Sequence, residues 1–290
     1  MQVLNNQSAF SVWKSYTGNV TDLRKSMSRL SSGLKIQGAG DDPAGLAMSE
    51  RLRAQYRNSA AAASNIENDI SYLQTADSWL QKIHDILGRM AELAVSANDG
   101  TKSQTDLNNL QEEFGQLQAE VSRITTGSTA AAKYNGGALF QSGTPEVQVG
   151  PDWGQEFTLA AIALTTDATT SIGSYGGSTA VQWGSLLGSA DLTISVQSSA
   201  GNAVAMLNLG IDYISSQRAT VGAQQSRLTH TLEGLRNYED NIRASESRIR
   251  DVDVAKETTN FSKYQILTQI GTAMLAQANA MPMGVVQLVG

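Results

Sequence analysis

Leu207, Ile214, Val221, Leu228, Leu235, Ile242 and Ile249 follow one another at intervals of seven residues. A sustained seven-residue repeat keeps one stripe of an α-helix turned toward a partner helix, whereas a strand alternates with a period of two. An unbroken run in a chain that is 41% hydrophobic is not a product of composition. The companion positions Arg218, Gln225, Glu239 and Glu246 are polar. This helix is therefore expected to bury a narrow stripe within a bundle of several helices.

Three more segments carry the same signal. From the N-terminal side, Trp13, Tyr16, Val20, Leu23, Met27, Leu30 and Leu34 alternate spacings of three and four, which is a heptad seam. Ile66, Ile70, Leu73, Leu80, Ile83, Leu87 and Met90 form a second stripe, and Leu107, Leu110, Phe114, Leu117, Val121 and Ile124 a third. Both read as amphipathic helices.

The two ends are nearly uncharged. Residues 264–290 contain no Asp, Glu, Lys or Arg, and residues 1–20 contain only Lys14. Gln265, Thr268, Gln269, Thr272, Gln277 and Asn279 interrupt the apolar residues of the tail, so it is not expected to span a bilayer. Burying one stripe on an isolated terminal helix does not offset the entropy of fixing its backbone. The ends are expected to order by packing against each other and against further copies of the chain. Phe261, Ile266, Ile270, Met274 and Leu275 are the tail's candidate core-facing residues.

A net charge of -6 and a pI near 5.0, with no basic patch, argue against nucleic-acid binding. Absence of cysteine removes disulfides and zinc–thiolate sites. The N-terminus has no basic segment leading into a continuous apolar run, so export through the general secretory route is not expected.

Between roughly 127 and 200 the texture changes. Glycine becomes frequent, and VQVG at 147–150, FTLAAIAL at 157–164 and LTISV at 192–196 read as short strands, punctuated by Pro145 and Pro151. A small β-containing insert is expected. Within it, 165–180 is dense in Ser and Thr, consistent with an exposed loop or a site of O-linked glycosylation.

Catalytic signatures are missing. His84 and His230 are the only histidines, and neither stands in an HExxH pair. The sequence has no phosphate-binding glycine loop followed by Lys and Ser or Thr, and no GxSxG elbow. No enzyme activity, cofactor or metal site is expected. Asp41 and Asp42, beside a helix start at Pro43, read as caps.

Residues 30–55 (LSSGLKIQGAGDDPAGLAMSERLRAQ), 91–101 (AELAVSANDGT) and 265–279 (QILTQIGTAMLAQAN), in this order, resemble bacterial flagellin, the subunit of the flagellar filament. VLNNQSAFS at 3–11 and YNGGALF at 134–140 add to the likeness. Four tryptophans and the ending MPMGVVQLVG depart from the usual family pattern.

The resemblance implies a mainly α fold in which both ends of the chain form a long antiparallel coiled-coil and bundle rod. Residues 1–40 with 254–290 would form an inner coiled-coil domain, and 41–253 a helical rod with an outward β-rich insert at about 128–200. It implies a short form without large outer domains, export by the flagellar type III apparatus, and self-polymerisation into an extracellular filament for swimming. The implied partners are copies of itself, an export chaperone, and cap and hook-associated proteins, with neither nucleic acid nor membrane among them. Gly33, Gly38, Gly40, Asp41, Asp42, Pro43, Ala44 and Gly45 would form the connection between inner and rod helices. GRMAELAV at 88–95 resembles the stretch by which many flagellins are sensed by a host Toll-like receptor. This would make Arg89, Glu92, Leu93 and Glu113 receptor contacts, with contact between neighbouring subunits as the plainer role. The alternative readings are a hook-filament junction protein and a secreted coiled-coil effector or needle-tip protein.

Overall fold

A computed structural model describes residues 6–126, 130–140, 143–164, 171–175, 179–188 and 192–289. Four long helices dominate: α1 (Gln7–Ser32), α2 (Pro43–Ala97), α5 (Gln197–Arg250) and α6 (Val254–Val289), with α3 (Gln104–Thr125) between α2 and the insert. Among the described residues the insert carries three antiparallel strand pairs and the short helix α4 (Trp183–Gly188). The pairs are β1 (Lys133–Tyr134) with β2 (Gly137–Ala138), β3 (Glu146–Gln148) with β4 (Glu156–Thr158), and β5 (Ser171–Tyr175) with β6 (Thr179–Gln182). The expected fold class holds: helices from both ends and small antiparallel strand pairs in the middle.

The chain divides into two compact units, Met1–Tyr56 with Glu239–Gly290, and Arg57–Tyr238. The expected domain boundaries near 40 and 253 coincide with turns between helices, whereas the compact units divide within α2 and α5.

In the first unit α1 pairs with α6. The pairing is antiparallel: Asn6 bonds Ala278 and Ser26 bonds Glu257. Gly33 ends α1 with φ 72° and donates its N–H to the Arg29 carbonyl at 2.9 Å. This left-handed cap favours glycine. Beyond it, Lys35 N–H donates to the Arg250 carbonyl at 2.7 Å and Val252 N–H to the Gly33 carbonyl at 2.9 Å. The two interhelix turns thereby form one small ladder.

The second unit holds the larger core. From the α5 repeat Leu207, Ile214, Val221, Leu228 and Leu235 are buried, and Ile66, Leu73, Leu80, Ile83, Leu87 and Met90 of α2 pack into the same cluster, as do Leu107, Phe114, Val121 and Ile124 of α3. Ser103 starts α3 with a capping box closed by Asp106. Asn135 (φ 48°) and Gly136 (φ 81°) make the two-residue turn of the β1–β2 hairpin, the positive-φ pair that such a tight connection requires.

Two expected strands are corrected. LTISV at 192–196 has no strand partner among the described residues: Leu192 and Ile194 are buried, and the Ile194 amide donates instead to Gln111 Oε1 on α3 at 2.7 Å. In FTLAAIAL only Phe157 and Thr158 are strand, because the partner of Thr158 is Glu146, where β3 begins. Leu159, Ile162 and Leu164 then leave the sheet to enter the core, and the Leu164 carbonyl accepts from buried Trp183 Nε1 at 2.9 Å. Most of the Ser- and Thr-rich stretch, 165–170 and 176–178, lies outside the described residues.

Candidate functional site

In the helix pair of the first unit, apolar residues form the seam between α1 and α6 and also lie outside it. On α1 the shielded positions are Ala9, Val12, Tyr16, Asn19, Leu23, Ser26 and Leu30; on α6 they are Glu257, Phe261, Tyr264, Thr268, Gly271, Leu275 and Ala278. Both series alternate three and four, as interlocking helices require. Tyr16 lies over Gly271: a Cβ built there would meet Tyr16 Cδ2 at 3.0 Å. Small and polar residues are frequent in both series, so the pair approaches closely but buries modest apolar area.

Other large apolar side chains of both helices lie open. Phe10, Trp13 and Met27 on α1 are 64%, 52% and 55% exposed, and Ile266, Ile270 and Met274 on α6 are 56%, 51% and 51% exposed. Phe10 and Trp13 stack with ring centroids 5.9 Å apart, and Met281 continues the α6 stripe one heptad on. A monomer does not ordinarily present such a series of large apolar side chains without a partner surface.

Of the expected assembly residues, Tyr16, Leu23, Leu30, Phe261 and Leu275 occupy the intrachain seam. Val20 is half-buried beside it, and Leu34 lies past the end of α1, bridged to Asp251. Trp13, Met27, Ile266, Ile270 and Met274 do not face the partner helix, because the apolar stripe is wider than the contact two helices make. Phe10 and Met281 were not singled out from sequence. Phe10 is legible in hindsight at i−3 from Trp13, and Met281 at i+7 from Met274.

The turn 33–45 is built as caps. Asp42 Oδ1 accepts from the Gly45 amide at 2.9 Å, and Pro43 opens α2 where no intrahelical N–H is needed. A Cβ at Gly45 would run into Asp42 Oδ2 and into Ile36 Cδ1. Gly38, Gly40 and Ala44 make no comparable demand: a Cβ at either glycine meets open space, and Ala44 is exposed. Asp41 takes Lys25 Nζ at 2.6 Å and the Gln37 amide at 3.2 Å. The Lys25 contact first, then the Gln37 N–H, hold its carboxyl below the usual range. Charges missed in the sequence close the same unit: Arg250, 9% exposed, meets Glu50 at 2.6 Å, and Arg53 meets Glu246 at 3.2 Å.

On the second unit Arg89 Nε and Nη2 donate to Glu113 Oε1 at 2.9 and 2.7 Å, and Nη1 to Glu92 Oε2 at 3.1 Å. The three form an exposed triad across α2 and α3, and Glu113 foremost raises the Arg89 pKa. Leu93 is a correction: it is 4% exposed and belongs to the core, since position 93 continues the buried face of Leu80, Leu87 and Met90. Val95, 59% exposed, is the large apolar residue that this stretch does present.

Among the described residues no group of three or more His, Cys, Asp or Glu could hold a metal ion, and no helix is long and apolar enough to cross a membrane. His230 is exposed beside Glu233, and His84 is half-buried.

The helical ends of the chain are also those that match known proteins. The model of the bacterial flagellin N-terminal helical region matches residues 3–144, and that of the C-terminal helical region residues 204–289. The chain is 37% identical over 292 residues to a flagellin of Halalkalibacterium halodurans, covering 99% of both chains. The chain belongs to the flagellin family. The same likeness extends to Bacillus subtilis flagellin, 37% identical over 310 residues, and to the flagellar filament 33 kDa core protein of Treponema phagedenis, 36% identical over 300, each with 99% of both chains covered. The crystal structure of Bacillus cereus flagellin aligns with 59% of this chain and 88% of its own, at 28% identity and a TM-score of 0.47. As a flagellin of 290 residues, this chain is a short form, and its family is one of structural proteins.

Proposed function

We propose that this flagellin is a structural subunit that polymerises into the flagellar filament through its terminal helix pair. One observation carries the reading: the pair closes on itself along one narrow seam while Phe10, Trp13, Met27, Ile266, Ile270 and Met274 remain open. Burying apolar surface is the main favourable term in protein association, at about 25 cal/mol per Å². Relatives named as flagellins and filament core proteins support the filament over a junction or needle-tip role. The protein would act outside the cell, after export by the flagellar type III apparatus with an export chaperone, and would be added beneath a cap beyond the hook-associated proteins.

The turn with Gly33, Asp41, Asp42, Pro43 and Gly45 would set the angle at which α1 and α2 meet neighbouring subunits. Receptor sensing through the GRMAELAV stretch would have to use Arg89, Glu92, Glu113 and Val95, without Leu93.

The test is seeded assembly. Depolymerised full-length protein is added to short filament seeds and followed by sedimentation and negative-stain microscopy, with a variant lacking residues 261–290 beside it. Long filaments from the intact chain alone are expected. An intact chain that remains soluble, or only caps the seeds, would overturn the proposal.

A further inference from the structure

Pro282 lies inside α6. A proline within a helix has no N–H, so the carbonyl four residues earlier, that of Ala278, loses its helical partner. Ala278 is 7% exposed and belongs to the seam with α1, where solvent does not readily replace a missing bond. That bond comes from the other end of the chain: Asn6 Nδ2 donates to the Ala278 carbonyl at 2.8 Å. The same side chain turns Oδ1 to the Ala9 amide at 3.0 Å and caps α1. One amide group thus supplies the acceptor that α1 needs and the donor that α6 needs.

We propose that Asn6 is a positioning residue for assembly. Its amide recognises the carbonyl that Pro282 frees and so fixes the register in which the two ends pair. The inference rests on reading this pair as the polymerising surface. The heptad pattern alone does not fix the register, because a slip of one heptad preserves the alternation of three and four. A slip would, however, leave the Ala278 carbonyl unpaired on a shielded face and remove Tyr16 from Gly271. A lone polar contact that specifies register is an established device in paired helices.

The chain has no cysteine, so a disulfide can report the register. A Cβ built on Gly271 lies 3.5 Å from Tyr16 Cβ, within the span a disulfide bridges. Full-length protein carrying Tyr16→Cys and Gly271→Cys is equilibrated in thiol–disulfide buffer and its cross-linked fraction measured. The reporter is combined with Asn6→Asp, with Pro282→Ala, and with both. Asn6→Asp keeps a capping oxygen but has no N–H to donate, and Pro282→Ala returns an amide to the helix. The same substitutions, without the cysteines, are tested in seeded sedimentation.

Asn6→Asp is expected to lower the cross-linking equilibrium on the order of five- to tenfold and to raise the critical concentration for assembly similarly. In the Pro282→Ala background it should change either by less than about twofold, since the helix then supplies its own donor. Equal losses in both backgrounds would assign Asn6 to capping or to charge, and no loss in either would remove its role; both overturn the proposal. Should the unsubstituted chain fail to extend seeds while the cross-link still shows the coupling between Asn6 and Pro282, the filament reading fails and the register lock stands.

Discussion

Tyr16 rests on Gly271, with Tyr16 Cδ2 3.0 Å from where a Cβ on residue 271 would lie. Glycine in mid-helix is costly, by roughly 0.5 to 1 kcal/mol relative to alanine, and here it admits an aromatic ring between α1 and α6. Gly271→Ala is expected to be nearly neutral, as gained helix propensity offsets a small ring displacement. Gly271→Leu should separate the helices and lower the temperature at which filaments dissociate by several degrees. Scattering during a heating ramp reads this directly, and a leucine variant as stable as the parent would show that the approach is not used.

Leu93 and Arg89 should behave oppositely. Leu93→Ala opens a cavity in the second unit and is expected to cost about 2 to 5 kcal/mol in urea unfolding. Arg89→Ala breaks only an exposed triad and should leave the unfolding midpoint unchanged. If the two substitutions had equal effects, the assignment of Leu93 to the core would be wrong.

Asp69, half-buried on α2, has one oxygen without a hydrogen-bond partner, and burial raises its pKa from 3.8 to about 6. The folded state holds this proton more tightly than the unfolded state, so stability falls as pH rises between the two values and the loss is complete above the higher one. Asp69→Asn should raise stability at pH 8 by about 1 kcal/mol, once the carboxylate's remaining exposure to solvent is discounted. At pH 3 the difference should vanish. Urea midpoints at the two pH values check this, and a variant less stable at pH 8 would sink it.

Asp41 has the opposite sign. Lys25 and the Gln37 amide depress its pKa, so its contribution is present above the ordinary carboxylate range and is lost as pH falls through the folded value. Asp41→Asn is expected to weaken filaments at neutral pH and to flatten part of their dissociation in acid. An acid dissociation curve unchanged in shape and position would refute it.

Much of the architecture was legible because heptads constrain helices whatever they pack against. The repeats at Leu207–Ile249 and Ile66–Met90 identified the two longest helices, and Asp42–Pro43 marked the start of α2. LTISV was misread because a β-rich composition does not reveal whether a partner strand exists, and Gln111 on α3 takes that role through a side chain. Leu93 was misassigned because an exposed arginine and a buried leucine lie only four residues apart on one helix, where a small error in the facing direction separates solvent from core.

By itself the sequence determined the helices, the pairing of two uncharged ends and the family, since periodicity, charge and motif order are properties of the chain. Only the tertiary structure decided which part of each wide apolar stripe is used inside the chain. Trp13 and Ile266 are as apolar as Leu23 and Leu275, but two helices meet along a narrow line. Close approach, with Gly271 under Tyr16 and Asn6 bonded to Ala278, admits small and polar residues to the seam beside Tyr16 and Phe261 and leaves Phe10, Trp13, Met27, Ile266, Ile270 and Met274 exposed.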